Sequence, residues 1–381
     1  MELYKKFSNL FDVNIIKQLS NKDILISSSN QIKIYSIETF DRIYYFKEIE
    51  SSIISIKSIS EINSNKKNEI ILAMALSDFS IQIIKLTKRN SNATNTKNKS
   101  NAKYRHKLHQ TLGFKKNKNI PYDICISSFL NYLLVGINNT VQYYINSGTD
   151  KLNYVKEKEY KINSKINTKK PKTEIVKGIS AVQYQKYNLI LIVEEIMFQE
   201  YDLKICYFDT FELITHFRNL YIYPDRGLMS FMTCSDEKKL FLVIGDRNDG
   251  IMIIKLFDDF DIYENINLSK IIKDLSYNKN NISYNYEIKS ICGLDDGSFV
   301  ICLYYLEPVN EKNYLIRGRI NNKTKKLEVL YINENAHNNK SNFITSSIMA
   351  KNNNKKQEET FFVSGDHEGM IKFWKMKINL K

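Results

Sequence analysis

Phe362-Val363-Ser364-Gly365-Asp366-His367-Glu368-Gly369-Met370-Ile371-Lys372-Phe373-Trp374 is the stretch that decides the fold of this 381-residue chain. An apolar run ends in Ser-Gly, and a short acidic turn closed by Gly follows. An alternating segment then ends on the only Trp. Successive side chains of a strand point to opposite faces, so alternation of this kind marks a half-buried strand. Two such segments across a Gly-containing turn read as a hairpin.

Working upstream, the same unit recurs until seven copies are found. First strands are expected at 14–19, 53–59, 122–127, 179–184, 229–234, 287–293 and 343–349. Second strands are expected at 23–28, 69–76, 132–137, 189–194, 240–245, 298–304 and 360–364. The third strands end on Tyr35, Ile84, Tyr144, Phe208, Ile254 and Trp374, with a degenerate sixth near 314–320. In the fourth copy the turn before the third strand is expected to run through Asp202. Outer strands are expected at 42–49, 104–112, 153–162, 213–219, 261–268 and 327–332. Only 375–381 follow Trp374, so the seventh outer strand is expected from the N-terminal segment 3–7. An unpaired sheet edge exposes donors and acceptors, and closure removes it. The expectation is an all-β chain, a single seven-bladed β-propeller of four-stranded antiparallel blades over 1–381, its N-terminal strand closing the last blade. The repeats are spaced wider than the roughly 40–45 residues of an ordinary blade. Connecting segments absorb the excess, because closure entropy grows only logarithmically with length.

Composition agrees with strands. Ile, Tyr and Phe are abundant, and these types fit a pleated surface. Gly and Pro are scarce, at 12 and 4, so Asn is expected to take many left-handed turn positions. Cys125, Cys206, Cys234, Cys292 and Cys302 form no Cys-x-x-Cys, and each sits in an apolar run. They read as small buried hydrophobes in a reducing compartment. The opening residues carry no secretory pattern, and apolar runs such as 70–76 and 189–193 are too short to span a bilayer. A cytoplasmic or nuclear protein without membrane insertion is expected, a monomeric propeller within a larger complex.

The formal net charge is +14, and it is unevenly spread. Between 87 and 119 stand Lys88, Arg89, Lys97, Lys99, Lys103, Arg105, Lys107, Lys115, Lys116 and Lys118, with no Asp or Glu. Between 156 and 177 the Lys-rich run includes Lys169, Lys170 and Lys172. Outside these windows the chain is close to neutral. A disordered insertion is expected near 88–103 and a Lys-rich loop near 161–175. Such segments are solvated by self-repulsion, or they attract nucleic acid or an anionic membrane surface. The candidate polyanion-binding set is Lys88, Arg89, Lys103, Arg105, Lys107, Lys115, Lys116, Lys118, Lys169, Lys170 and Lys172, with Tyr104 and Phe114 offered for base stacking.

The terminal stretch resembles the end of a WD repeat, and with the upstream copies the resemblance to the WD-repeat family covers essentially the whole chain. Phe208-Asp209 looks like a softened Trp-Asp. The resemblance implies a hydrogen-bonded tetrad inside a blade, for which the candidates are His337, Ser364, Glu368 and Trp374. Glu368 stands where the family prefers Asp, and Lys375 replaces the Asp of Trp-Asp. The other copies lack the His and the Trp, so their blades must rely on apolar packing.

No catalytic constellation is legible. The residues 365–369 lack the spacing of a phosphate loop and its following Lys-Ser/Thr. His106 and His109 are expected on opposite faces of one strand and cannot chelate together. Asp258-Asp259 and Asp295-Asp296 read as turn residues. Leu315-Ile316-Arg317-Gly318-Arg319 lacks the paired Arg of the Phe-Arg-Arg-Gly loop found in phosphoinositide-binding propellers, and is expected to be a strand crossing. No cofactor, metal or catalytic residue is expected. The reading is a non-catalytic scaffold or adaptor subunit that binds other proteins. The alternative is an RNA- or ribonucleoprotein-binding propeller using the basic segments 88–118 and 156–177.

Overall fold

The computed structural model describes residues 1–8, 12–47, 49–59, 69–88, 104–114, 124–148, 152–162, 175–197, 200–220, 229–234, 239–245, 250–256, 260–267, 286–294, 296–305, 312–321, 327–333, 336–337, 344–352 and 359–376. Strand β1 (Glu2–Ser8) opens the chain. Blade 1 comprises β2 (Ile15–Gln18), β3 (Ile24–Ser28), β4 (Gln31–Tyr35) and β5 (Arg42–Phe46). Blade 2 comprises β6 (Ile53–Ile59), β7 (Glu69–Leu76), β8 (Ser80–Lys88) and β9 (Tyr104–Gly113). Blade 3 comprises β10 (Ile124–Phe129), β11 (Tyr132–Ile137), β12 (Thr140–Asn146) and β13 (Tyr154–Lys161). Blade 4 comprises β14 (Ile175–Tyr184), β15 (Tyr187–Met197), β16 (Glu200–Tyr207) and β17 (Leu213–Leu220). Blade 5 comprises β18 (Met229–Cys234), β19 (Lys239–Gly245), β20 (Gly250–Lys255) and β21 (Ile262–Asn267). Blade 6 comprises β22 (Tyr286–Gly293), β23 (Ser298–Tyr305), β24 (Lys312–Ile320) and β25 (Leu327–Asn333). Blade 7 comprises β26 (Ile344–Asn352), β27 (Glu359–Asp366) and β28 (Met370–Met376), and takes β1 as its fourth strand.

Each sheet pairs its strands in chain order. The chain is an all-β, seven-bladed β-propeller, and β1 lies antiparallel to β28, from Glu2 opposite Lys375 to Ser8 opposite Met370, closing the ring. Two compact units can be distinguished, Lys17–Asn219 and Met1–Ile16 with Leu220–Lys381.

In the first of these units the cores lie between successive sheets. Ala73, Ala75, Ile81 and Ile83 of blade 2 pack with Ile124, Leu133, Val135 and Tyr144 of blade 3. Leu134, Val141 and Tyr143 of blade 3 pack with Val176, Ile190, Cys206 and Phe208 of blade 4. In the second unit, Val300, Cys302 and Leu315 of blade 6 meet Phe362, Trp374 and Met376 of blade 7, with Trp374 2% exposed. The second strands are buried on both faces, so β7, β11 and β19 read as nearly continuous apolar runs. Among the described cysteines Cys206, Cys292 and Cys302 are buried and Cys125 is half-buried. Burial pushes the Cys206 thiol up to about 11.

The outer strands carry a repeated irregularity. Wherever the pairing of third and fourth strands is described, the fourth strand holds one extra residue: Tyr4, Ile43, His109, Glu157, Tyr263 or Leu330. A bulge of this kind increases local twist and spoils an outer edge as a template for further pairing.

The turns differ from expectation. Among the described non-glycine residues with left-handed backbone only Asn138 is Asn, while Phe40, Phe79, Phe211 and Phe260 are Phe. Phe40, Phe211 and Phe260 sit in third-to-fourth strand turns of like sequence, Glu38-Thr39-Phe40-Asp41, Asp209-Thr210-Phe211-Glu212 and Asp259-Phe260-Asp261. The Phe211 ring stacks on Tyr160 at 4.3 Å between centroids, offsetting the backbone cost of the conformation. The turn expected through Asp202 is also different. β16 begins at Glu200, so Asp202 lies inside the strand, buried, with Oδ2 2.8 Å from His216 Nε2.

Candidate functional site

The polar centre of blade 7 is a chain of four side chains. The Trp374 indole N–H donates to Ser364 Oγ at 3.0 Å. Ser364 Oγ lies 2.9 Å from His337 Nε2, and His337 Nδ1 lies 2.7 Å from Asp366 Oδ2. A neutral imidazole satisfies all three contacts when Ser364 donates to Nε2 and Nδ1–H donates to the carboxylate. Burial lowers the His337 pKa, with Asp366 opposing, and this favours the neutral ring.

The acid of this set is Asp366, not Glu368. Ser364 and Asp366 are two residues apart on β27, hence on one side of the strand, and both reach His337. Glu368 enters through its backbone N–H, which donates to Asp366 Oδ1 at 3.1 Å, beside that of Met370 at 2.8 Å. Those two bonds shape the turn before β28. Asn313 of β24 donates its side-chain N–H to the His337 carbonyl at 3.2 Å, and Lys372 donates to the Ala336 carbonyl at 2.5 Å. His337 therefore fastens blade 6 to blade 7. Asp–His–Ser in this order has the connectivity of a nucleophilic relay. Ser364 is fully buried and its oxygen accepts from Trp374, so the relay holds the fold.

The basic windows are not loops throughout. β9 occupies Tyr104–Gly113, β13 occupies Tyr154–Lys161, and β14 opens at Ile175. Arg105 and Lys107 are exposed on β9. Lys88 is half-buried and spent on Asp23, Nζ to Oδ2 3.1 Å. Tyr104, offered for stacking, is buried and donates its hydroxyl to Asp23 at 2.5 Å. Burial and Asp23 push its phenol up. Phe114 packs partly against the core between blades 2 and 3. The Tyr104 ring is enclosed, and the Phe114 ring is half-buried. Arg89, Lys103, Lys115, Lys116, Lys118, Lys169, Lys170 and Lys172 lie outside the described residues, as does the insertion expected near 88–103 apart from Lys88.

Topology still places the ends of these segments. β8 ends at Lys88 and β9 begins at Tyr104 beside Asp23, which precedes β3. The far end of β9 lies at the β7–β8 turn, where Phe114 N donates to Phe79 O at 3.3 Å. The end of β13 and the start of β14 lie at the β11–β12 turn, through Ile162 N to Asn139 O at 2.8 Å and Val176 N to Asn138 O at 2.6 Å. Antiparallel strands put these two kinds of connection at opposite ends of a blade. Lys88 and Tyr104 thus lie at one end, and Phe114, Ile162 and Ile175 at the other.

The arginines of the 315–319 stretch are both engaged. The stretch lies in β24, where Arg317 binds Asp296 at 2.5 Å and Arg319 binds Glu328 at 2.8 Å. His106 bonds the Tyr44 hydroxyl through Nδ1 and packs on Phe46. Among the described residues no group of three His, Cys, Asp or Glu could hold a metal ion, and no helix is long and apolar enough to cross a membrane.

The fold defines the class: a seven-bladed β-propeller with a polar staple in its last blade. No family model and no curated relative matches the sequence. Among solved structures the chain is similar to Saccharomyces cerevisiae Sqt1, at TM-score 0.56 and 9% identity over 99% of each chain. It is also similar to Chaetomium thermophilum Sqt1 bound to the N-terminus of the ribosomal protein L10, at TM-score 0.58 and 8% identity. That likeness covers 98% of this chain and 100% of the other. At such identity the shared property is the fold.

Proposed function

We propose that this chain is a divergent WD-repeat-type propeller that works without catalysis, as a scaffold or adaptor binding another protein in the cytoplasm or nucleus. The observation that carries the reading is likeness over the whole chain to a propeller solved with the N-terminus of a ribosomal protein bound. The surface best suited to a partner is the blade end holding the second-to-third strand turns. In the Lys17–Asn219 unit the chain entering each next blade is hydrogen-bonded to those turns: Ile53 N to Ser29 O at 2.8 Å, Phe114 N to Phe79 O at 3.3 Å, and Val176 N to Asn138 O at 2.6 Å. Irregular segments fixed on a rigid scaffold are where binding residues concentrate. Phe114 and Ile162, the described residues that precede the Lys-rich sequences 115–118 and 169–172, lie at that same end, and an acidic protein segment is the partner that matches such sequences.

Exposed Arg105 and Lys107 keep RNA as the competing reading. Proximity labelling of the full chain in its own cells, followed by capture with and without nuclease, separates the two. A protein partner retained after nuclease and in moderate salt is expected. Loss of every partner on nuclease treatment, or affinity falling steeply with salt, replaces the protein reading by the RNA one. Recovery of no stable partner under any condition overturns both.

A further inference from the structure

Blade 1 holds an exposed aromatic ring with two cations over it. β4 and β5 pair antiparallel, with Lys33 opposite Tyr45 and Tyr35 opposite Arg42. Lys33 Nζ stands 5.6 Å from the centroid of the Tyr45 ring, and Arg42 Cζ stands 5.5 Å from the same centroid. The Tyr45 hydroxyl donates to Gln31 Oε1 at 3.1 Å, which ties the far end of the ring to β4. Tyr44 and Phe46, its neighbours on β5, instead meet His106 of blade 2. Tyr45 is 40% exposed, and Arg42 and Lys47 are exposed on the same strand end to end.

Other cations of this unit are matched to acids. Lys85, Lys88, Lys177 and Lys204 each meet a carboxylate. Arg42 meets the ring and makes no ion pair among the described residues. A π face attracts a cation through its quadrupole but carries no net charge, so the ring orders the two cations without cancelling either. Burial, and after it the Arg42 charge, lower the Lys33 pKa, so the two cations act on each other across the ring. An anion relieves that repulsion. Gln31 follows the β3–β4 turn directly, and β5 runs back toward it. Gln31, Lys33, Tyr45 and Lys47 therefore lie at the blade end that holds the second-to-third strand turns.

We infer that this face of blade 1 seats a short acidic segment of the partner protein, with carboxylates on Arg42 and Lys33. The inference rests on the protein-binding reading and adds a place and a chemistry to it. Both cationic heads stand over one ring, so neighbouring carboxylates of one segment reach both. A guanidinium presents a planar fork that a carboxylate meets with two parallel hydrogen bonds. A nucleobase needs an aromatic face to stack on, and here cations already stand over the ring. Carboxylates come to the cations and leave that arrangement in place, which favours a peptide over RNA.

The probe is fluorescein-labelled hexaglutamate, titrated with the full chain at low salt and read by anisotropy, with labelled hexauridylate in parallel. Arg42→Gln is expected to weaken hexaglutamate about fivefold. Tyr45→Leu should weaken it about threefold with no change in net charge. Tyr45→Phe keeps the ring and should bind like the wild type. Lys186→Gln removes the same charge from a cation over Tyr187 in blade 4, and should change affinity by less than about twofold. Arg42 is exposed, so its variant carries the test where Tyr45→Leu melts early. Equal binding of hexaglutamate by the wild type, Arg42→Gln and Tyr45→Leu overturns the site, and leaves the protein-binding reading to partner capture. Hexauridylate that binds more tightly than hexaglutamate, and loses affinity in the same two variants, overturns it by making the face one for nucleic acid. Arg42-dependent binding of hexaglutamate supports the site whatever partner capture returns, so the two readings fail separately.

Discussion

Asp366 is the residue on which blade 7 turns. Its carboxylate accepts from His337, from Glu368 N and from Met370 N, and its backbone carbonyl accepts from Val13 N at 3.0 Å. Removing it leaves several buried donors unpaired. Asp366→Ala is therefore expected to cost about 3 kcal/mol in urea denaturation, whereas Glu368→Ala should stay within about 0.5 kcal/mol. Equal effects of the two variants would refute the assignment. His337 adds a pH dependence of fixed sign. Its folded pKa lies below the ordinary histidine value of about 6.5. Between those values the unfolded chain binds more protons, so stability falls as pH drops through that window. His216 and His109 are lowered too, His216 by burial with Asp202 opposing, and act in the same direction. Thermal midpoints measured from pH 7.5 to 5 should decline, and His337→Gln should flatten part of the decline. A wild-type curve flat over that range would contradict a neutral buried His337.

At the scale of elements, the sequence was legible where both faces of a strand are enclosed and obscure where they are not. The apolar run of β11 is legible because Leu133 and Val135 pack on blade 2 while Leu134 packs on blade 4. The outer strands mix exposed Leu108, Val155 and Leu330 with charge, and their bulges break the two-residue period that identifies a strand. The tetrad was legible through His337, Ser364 and Trp374, because Ser-Gly and Trp flank a recognisable turn. Asp366 was passed over for a residue further into that turn, although its two-residue spacing from Ser364 was the available signal. Glycine placement is a further constraint of this scale. A Cβ on Gly293 of β22 would stand 2.0 Å from the Phe231 carbonyl oxygen of β18, and Gly293 N already accepts this approach by donating to Ser230 Oγ at 2.8 Å. Backbone cannot step aside as a side chain can. Gly293→Ala is expected to destabilise by roughly 3 kcal/mol or more, while Gly113→Ala, with nothing within 4 Å, should lie within about 0.5 kcal/mol. Comparable melting of the two variants would sink the close-approach argument.

For the molecule as a whole, stability depends on how the two ends of the chain meet. β1 is mostly exposed, with Leu3 and Tyr4 42% and 49% accessible, so burial of its side chains contributes little. What it supplies is the hydrogen-bond ladder to β28 and ring contacts of Tyr4 with Phe361 at 5.4 Å and Phe7 with Phe373 at 5.8 Å. A second closure lies just beyond it. Val13 N donates to Asp366 O, and a Cβ on Gly365 would stand 2.4 Å from the Val13 side chain. The two contributions separate by truncation. Deleting residues 1–8 removes the ladder, bares β28 and keeps Val13. It should lower stability by about 3 kcal/mol and promote concentration-dependent association through the bared edge. Extending the deletion through Val13 also empties the space above Gly365 and leaves the Asp366 carbonyl only its bond from Gly369 N, so a further loss of about 2 kcal/mol is expected. Adding the peptide of residues 1–8 in trans should restore much of the first loss and none of the second. Sedimentation and urea melting of the three forms provide the measurement. A shorter deletion that melts like the intact chain would mean that closure resides in Val13 and its neighbours alone.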